Sequence, residues 1–305
     1  MGPVKKDILG LKEMPVSEIE EILETAKSMK KLLSSGTKRT PHLQGRTIIC
    51  LFYEDSTRTR LSFELASKYM SANQANVSSG GSSVSKGETL IDTARTIDVM
   101  AADIIVIRHP MSGAPHLLAR NVKASVINAG DGMHEHPTQG LLDMYTILEK
   151  KGRIEGLRVA IVGDVLHSRV ARSNIWGLQK MGANVCVAGP PTMMPRDIGT
   201  TGVEFFDTPH EAITGADVVI GLRLQLERQK QGLFPNIREY SKYFGIDSHK
   251  LRLAKPDVLL MHPGPVNRGV ELTSEVIDAD YSAIDEQVTN GVAVRMALLY
   301  LLTRR

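Results

Sequence analysis

Short apolar runs alternate with amphipathic stretches along most of the chain. In the first half, the runs cover residues 47–53, 104–107 and 125–129, and helix-like patterns over 62–70 and 89–100 separate them. The runs are apolar on both faces and their connections are helical, as in parallel strands that helices cover on both sides. The pattern therefore predicts a parallel sheet with helical crossovers.

A second series of the same kind occupies the second half. Its apolar runs are residues 157–163, 184–188, 217–222 and 258–261. The helix-like segment 137–150, opened by a proline at a first-turn position, predicts the joint between the two series. The fold class is therefore α/β, with two doubly wound parallel-sheet domains joined by helices. We expect domains at residues 1–138 and 139–287, with a closing apolar helix over 288–305 that packs back on the first domain.

Composition agrees with this interpretation. The chain has 305 residues, of which 42% are hydrophobic and 23% charged, which suits a globular protein of about two domains. The net charge of +3 is slight, and no basic run with interleaved aromatic residues occurs, so nucleic-acid binding is not expected. The sequence contains no stretch of about 18 apolar residues, so no membrane span is predicted. Cys50 and Cys186 lie inside apolar runs, which is typical of buried, reduced thiols in a cytoplasmic protein.

The sequence STRTR at residues 56–60 carries the strongest signal for chemistry. It follows the apolar run 47–53 and precedes a helical pattern that starts at Leu61. The first N–H groups of a helix lack internal partners, and hydroxyl and guanidinium groups add further donors, so this segment predicts a phosphate site. An ordinary helix cap with two solvated arginines is the alternative that these residues alone leave open.

Further motifs lie just past predicted strands, where open parallel sheets bind their ligands. Arg108 in the sequence RHP could hold a phosphate or polarise a carbonyl, or it could be structural. His136 in the sequence HPTQ opens a helix, whose dipole favours a neutral imidazole that can donate to a carbonyl oxygen; a capping histidine is the alternative. The sequence HPGP at 262–265 could present backbone carbonyls to an amine, or form a plain tight turn.

The second series has candidates of its own. Arg169 begins a predicted helix after Gly163, which stands alone where a dinucleotide-binding fingerprint needs several glycines, so a carboxylate ligand is favoured over a nucleotide. Residues 223–234 form a polar excursion after a strand, either a ligand loop or a solvated turn. Residues 77–87, rich in serine and glycine and containing Lys86, suit either a linker or a functional loop. Scattered histidines and cysteines predict no metal site.

Taken in order, six motifs resemble the catalytic chains of the aspartate carbamoyltransferase family over essentially the whole chain. They are residues 56–60, 86–88, 108–110, 136–139, 223–228 and 262–265. The resemblance implies the two-domain fold of the aspartate and ornithine carbamoyltransferases and a reaction without a cofactor or a metal. The carbamoyl group of carbamoyl phosphate would pass to the amine of L-aspartate, giving N-carbamoyl-L-aspartate and phosphate in the second step of de novo pyrimidine biosynthesis.

The same resemblance implies roles for individual residues. Carbamoyl phosphate would be bound by Ser56, Thr57, Arg58, Thr59, Arg108, His136 and Gln139, together with Lys86 and either Ser82 or Ser83 of a neighbouring subunit. Aspartate would be bound by Lys86, Arg169, Arg223, Gln225, Gly264 and Pro265. The catalytic residues would be Arg58, Thr59, Lys86, Arg108 and His136. Sharing of the lysine loop implies a homotrimer, and it stays open whether a regulatory chain or a dihydroorotase joins it.

Two alternatives remain at this stage. Ornithine carbamoyltransferases share the STRTR segment, but they resemble one another in an HCLP turn and a Ser-Met-Gly loop, whereas this chain has the HPGP turn together with Arg223 and Gln225. Cations at the second site suit a dicarboxylate and would repel the amino side chain of ornithine. A non-catalytic nucleotide-binding module would need a complete glycine fingerprint, which is absent. A module that binds only phosphate would not explain Arg169 and Arg223 in the second series.

Overall fold

A computed structural model describes residues 5–36, 38–78, 88–224 and 236–304. The chain forms two compact units, one from Met1–Tyr145 with Val288–Arg305 and the other from Thr146–Gln287. Each unit contains one parallel sheet with helical connections. The predicted fold class is therefore confirmed.

The first unit contains a four-stranded sheet in the order β2-β1-β3-β4. The strands are β1 (Thr47–Phe52), β2 (Asn73–Ser78), β3 (Ile104–His109) and β4 (Ser125–Asp131). The helices that begin in this unit are α1 (Val16–Ser34), α2 (Thr57–Tyr69), α3 (Leu90–Val99), α4 (Ala114–Ala119) and α5 (Pro137–Lys151).

The core of the first unit follows from the apolar faces of β3 and β4. Every residue of β4 is buried, and so is every residue of β3 except Arg108. Ile105 and Ile107 pack with Ile97 of α3 and Leu118 of α4. Full burial of one such side chain stabilises the fold by about 1.5–3 kcal/mol. Arg108 thus lies at the end of a strand that packing fixes firmly.

The second unit contains a five-stranded sheet in the order β7-β6-β5-β8-β9. The strands are β5 (Arg158–Val162), β6 (Asn184–Ala188), β7 (Glu204–Phe206), β8 (Val218–Gly221) and β9 (Leu259–Met261). The helices are α6 (Arg169–Lys180), α7 (Pro209–Ile213), α8 (Ile237–Phe244), α9 (Ser248–Leu251), α10 (Ser274–Ile277) and α11 (Ile284–Thr303), the last of which belongs mostly to the first unit.

Each sheet has a point at which the strand order reverses. In the first sheet, β1 pairs with β2 on one side and β3 on the other; in the second, β5 pairs with β6 and β8 in the same way. Ligands of open α/β sheets bind beyond the carboxyl ends of the strands at such a switch point. A ligand-binding site is therefore expected in the loops that follow β1, β3, β5 and β8.

The two cysteines are free and buried. Burial raises the pKa of the Cys50 thiol to about 12 and that of Cys186 to about 11, so both stay protonated and unreactive near neutral pH. Among the described residues, no helix combines the length and the apolar character that crossing a membrane would need.

Candidate active site

The STRTR segment forms the first turn of α2, directly beyond β1. The helix begins at Thr57, earlier than the apolar pattern predicts, because Ser56 is its N-cap: the Ser56 hydroxyl accepts a hydrogen bond from the Thr59 backbone nitrogen (3.4 Å). This first turn contains no acidic side chain. Thr59 is buried and Arg58 is exposed. Backbone donors, hydroxyls and a guanidinium therefore meet at the positive end of a helix dipole, as an anion site requires.

Arg108 ends the neighbouring strand at the same switch point. Phe52 of β1 and Arg108 of β3 are register partners, and the Tyr53 backbone nitrogen donates to the Arg108 carbonyl (2.9 Å). The Arg108 guanidinium donates through Nη1 to the Ala129 carbonyl (3.2 Å), and its Nε lies 3.5 Å from Glu54 Oε2. These contacts hold a positive charge between the ends of β1 and β4.

His136 is the residue immediately before α5. Its carbonyl accepts hydrogen bonds from the backbone nitrogens of Gln139 (2.9 Å) and Gly140 (3.1 Å), and its ring Nδ1 lies 3.3 Å from Thr138 Oγ1. The predicted opening of this helix at Pro137 is confirmed. The structure is compatible with both alternatives for His136, a capping role and a role in binding a carbonyl oxygen. Its backbone carbonyl caps the helix, while its buried ring lies at the helix N-terminus.

The loop between β4 and His136 is held by polar residues that sequence reasoning did not single out. The buried Asp131 carboxylate accepts from Asn128 Nδ2 (2.8 Å), from the Gly113 nitrogen (2.7 Å) and from the Glu135 nitrogen (3.1 Å). Burial alone would raise the pKa of Asp131, but hydrogen bonds from His134, Gly113 and Asn128 outweigh it and leave the pKa below its ordinary value. The loop that leads to His136 is thus rigidly placed.

Gln139 is tied to the last helix through a buried acid. Its Nε2 donates to Asp143 Oδ1 (3.0 Å), and Asp143 interacts electrostatically with Arg295 of α11. Burial lowers the pKa of Arg295 to about 10, and Asp143 opposes that shift, so the guanidinium remains charged at pH 7. Arg295 Nη1 also donates to Ser62 Oγ of α2 (3.0 Å). The helices that carry Gln139 and the STRTR turn therefore share one buried cation.

Arg169 is the first residue of α6 in the second unit, just beyond β5. Ser168 caps the helix by accepting from the Ala171 nitrogen (3.1 Å), and Arg169 is buried. The preceding turn depends on Gly163, which has φ +130° and donates its N–H to the Ala188 carbonyl (2.8 Å). A Cβ there would lie 3.1 Å from that of Leu222, so the loops after β5 and β8 lie against each other.

Arg223 follows β8 in a backbone segment that Glu271 holds. The Leu224 nitrogen donates to Glu271 Oε1 (2.8 Å), while Asn267 donates to both carboxylate oxygens, from its backbone to Oε2 (2.9 Å) and from Nδ2 to Oε1 (2.8 Å). Burial raises the pKa of Glu271, and these hydrogen bonds counteract the shift. One buried carboxyl group thus ties the Arg223 loop to the loop that follows β9, a link that no local sequence pattern reveals.

The HPGP segment forms the turn after β9. The Gly264 nitrogen donates to His262 Nδ1 (2.9 Å), the His262 nitrogen donates to Gln287 Oε1 (2.9 Å), and the Gly264–Pro265 peptide bond is cis. Gly264 has φ +60°, which a residue with a side chain adopts only at a cost. The turn is therefore tight, as one of the two sequence interpretations requires.

We expect the Glu271→Gln variant to raise KM about tenfold for the ligand that the Arg223 loop binds, while kcat changes less. Glutamine offers one acceptor oxygen, so its amide would face the N–H of Leu224 or of Asn267 and misplace the Arg223 loop. Initial rates over a range of substrate concentrations measure the effect. Glu275→Gln, which alters an exposed carboxylate on α10, is the matched control and should leave KM unchanged. An unaltered KM in Glu271→Gln would contradict the positioning role.

The predicted site residues fall into two groups. In the first unit, the STRTR turn, Arg108, His136 and Gln139 follow three adjacent strands of one sheet at their carboxyl ends. In the second unit, Arg169 and Arg223 flank the switch point, and Gly264 with Pro265 follows the adjoining strand. The remaining predicted residues, Lys86, Ser82, Ser83 and Gln225, lie outside the described residues.

Comparison with known proteins places both units in one family. Residues 6–149 match the family of aspartate/ornithine carbamoyltransferases in its carbamoyl-P binding domain, and residues 155–302 match its Asp/Orn binding domain. The aspartate carbamoyltransferase catalytic subunit of Acetivibrio thermocellus is 70% identical over 98% of this chain and 96% of its own length. That of Ruminiclostridium cellulolyticum is also 70% identical, over 100% of this chain and 97% of its own.

Solved structures agree on the fold. Aspartate transcarbamoylase of Trypanosoma cruzi in complex with carbamoyl phosphate has a TM-score of 0.87 at 32% identity, covering 98% of both chains. Ornithine carbamoyltransferase of Pyrococcus furiosus has the same TM-score and identity, covering 99% of this chain and 98% of its own. The fold is common to both activities, whereas the 70% identical relatives carry only the aspartate name. The chain therefore belongs to the aspartate carbamoyltransferase family, as its motifs predict.

Proposed function

We propose that this chain transfers the carbamoyl group of carbamoyl phosphate to the amine of L-aspartate, releasing phosphate and N-carbamoyl-L-aspartate. The observation that supports this most directly is the placement of arginines at the switch points of both sheets, Arg108 in the first and Arg169 with Arg223 in the second. A phosphate and a dicarboxylate are both anions that guanidinium groups bind in a bidentate manner.

The first unit suits carbamoyl phosphate. Ser56, Thr57, Arg58 and Thr59 would bind the phosphate at the start of α2, while Arg108 and His136 would face the carbamoyl oxygen and Gln139 the carbamoyl amide. The amine lone pair forms the new C–N bond, the C–O bond to phosphate breaks, and the departing phosphate can accept the proton that the amine loses. Since charge grows on both the carbonyl oxygen and the phosphate, preorganised donors lower the barrier.

The second unit suits a dicarboxylic amino acid. Arg169 and Arg223 would bind the two carboxylates, and the carbonyls of Gly264 and Pro265 would orient the amine. The same pair of cations disfavours ornithine, whose side chain ends in an ammonium group. Gln225 and Lys86 complete this proposed set from outside the described residues.

The test is the product formed by the purified protein. With carbamoyl phosphate and either aspartate or ornithine as acceptor, we expect N-carbamoyl-L-aspartate and no citrulline. An Arg223→Met variant should lose affinity for aspartate and keep its affinity for carbamoyl phosphate, because the altered residue lies in the second unit only. Citrulline formation without carbamoyl aspartate would overturn the assignment, and binding of carbamoyl phosphate without turnover of either acceptor would favour a non-catalytic phosphate-binding module.

We also propose a homotrimer in which Lys86 and Ser82 or Ser83 act in the neighbouring subunit. Mixing Lys86→Gln with His136→Ala subunits, each nearly inactive alone, should restore activity, because a site built from two chains can recombine one intact half from each. In random trimers of an equal mixture, about a quarter of the sites would be intact. Mixed trimers that form and stay inactive would rule out a shared site.

We also propose that this reaction is the second step of pyrimidine synthesis and that it takes place in the cytoplasm. The two free, buried thiols support a reducing compartment. Sedimentation of the native complex from its source would show whether a regulatory chain or a dihydroorotase accompanies the trimer.

A further inference from the structure

Two histidines and an aspartate of the first unit meet outside the proposed substrate-binding residues. They are His116 on α4, Asp131 at the end of β4 and His134 in the loop that follows. One donor atom of each side chain lies within 4.8 Å of those of the other two. Sequence motifs do not predict these three residues as ligands, because they are brought together by a helix, a strand end and a loop.

The geometry of the cluster already resembles part of a coordination shell. His134 Nδ1 lies 3.0 Å from Asp131 Oδ2 and 3.3 Å from Oδ1, and the rings of His116 and His134 meet edge to face with centroids 5.5 Å apart. Ligand atoms about 2.0–2.1 Å from a zinc ion are about 3–3.5 Å from one another. Small side-chain rotations would therefore suffice for all three donors to reach one ion.

His116 is the member of the cluster that hydrogen bonding does not explain. Its Nδ1 is buried and has no hydrogen-bond partner within the part of the chain that the structure describes. Buried polar nitrogen atoms are nearly always paired, and an isolated one calls for a specific reason, such as an ion. The unpaired nitrogen belongs to the same three-residue cluster whose donor atoms are close enough to share a ligand.

We propose that His116, Asp131 and His134 bind a divalent transition-metal ion of the zinc class. Two imidazole nitrogens and one carboxylate oxygen form a donor set that suits Zn²⁺ and Co²⁺, whereas Mg²⁺ and Ca²⁺ prefer oxygen ligands throughout. A fourth position would be filled by water.

The surroundings of Asp131 support this assignment. Hydrogen bonds from Asn128, Gly113 and Glu135 orient its carboxylate, as partners of metal-binding carboxylates commonly do. The ion would join α4 to the loop that leads to His136, so it would stabilise the first unit without contacting substrate. This inference does not depend on the proposed function.

The experiment uses the full-length protein with any affinity tag removed and its metals stripped by a chelator. Titration with Co²⁺, followed by visible d–d absorption, should give one ion per chain in a tetrahedral or five-coordinate site. Zn²⁺ should compete for the same site and should raise Tm by a few degrees, since a ligand that binds only the folded state stabilises it. Neither readout depends on catalysis.

Variants distinguish this site from incidental surface binding. His116→Gln and His134→Gln should each weaken Co²⁺ binding by about a hundredfold or more and abolish the Zn²⁺-dependent rise in Tm. His210→Gln, which removes an exposed histidine from α7, is the matched control and should bind as the parent does. His116 serves as the principal variant because its Nδ1 has no hydrogen bond to lose, so folding should survive. Less than one ion per chain, or unchanged binding in both cluster variants, would overturn the proposal.

Discussion

Replacing Arg108 with methionine is expected to lower kcat/KM for carbamoyl phosphate at least a hundredfold. Methionine keeps the approximate length and packing of the side chain but removes the charge beside β1 and β4. Loss of one preorganised donor to a developing oxyanion costs about 3 kcal/mol of transition-state stabilisation, which corresponds to about two orders of magnitude in rate. Steady-state rates at saturating aspartate, together with equilibrium binding of carbamoyl phosphate, measure the effect.

Comparing the loss in kcat with the loss in affinity for carbamoyl phosphate shows whether Arg108 stabilises the transition state or only binds substrate. A charge that stabilises the transition state more than the ground state lowers kcat more than it weakens substrate binding. Arg95→Met, which removes an exposed arginine on α3 of the same unit, is the control and should leave both quantities unchanged. A loss in Arg108→Met confined to folding, with normal kcat in the surviving protein, would show that Arg108 serves structure alone.

Replacing Arg295 with leucine is expected to destabilise the protein by about 3–5 kcal/mol. The Asp143 carboxylate is fully buried and interacts electrostatically with this cation, so removing the cation leaves a buried negative charge without compensation. Leucine also gives up the hydrogen bond to Ser62 and the stacking of the guanidinium on Phe63, whose ring centroid lies 5.2 Å away. Urea-induced unfolding, followed by circular dichroism, measures the loss.

A second substitution separates charge from packing. Asp143→Asn in the Arg295→Leu background removes the stranded charge and should recover a large part of the lost stability, which a double-mutant cycle quantifies. Arg304→Leu, at an exposed position near the end of the chain, is the control and should change stability by less than about 0.5 kcal/mol. If Asp143→Asn recovers no stability, compensation of the Asp143 charge does not explain the role of Arg295.

Most of the fold could be predicted because most of its strands are apolar on both faces. The residues of β3, β4 and β8 are buried almost throughout, and the alternation with helices is visible without any alignment. Two of the four edge strands, β2 and β7, are not predicted. Four of the six residues of β2 are Asn, Gln or Ser, and most of β7 is exposed, so neither strand carries the apolar signal on which the prediction depends.

The candidate site likewise has features that the sequence predicts and features that it does not. Motifs at strand ends, such as STRTR and HPTQ, are local in sequence, so the helices that follow them can be predicted directly, although α2 begins at Thr57 and not at the predicted Leu61. The residues that hold them are distant in sequence: Glu271 contacts the backbone of Leu224, and Arg295 contacts Ser62. The periodicity of a sequence indicates local structure and does not reveal such contacts between distant residues. The roles proposed for the motif residues themselves remain predictions for the kinetic experiments described above.

The return of α11 to the first unit has a consequence for biosynthesis. Residues from 288 onward belong with the amino-terminal unit, and α11 supplies its buried guanidinium. During synthesis on the ribosome, the first unit therefore cannot complete its interior until α11 has been made, whereas the second unit can fold as soon as residues 146–287 have emerged. We expect deletion of the last turns of α11 to destabilise the first unit, although most of that unit is far from α11 in the sequence.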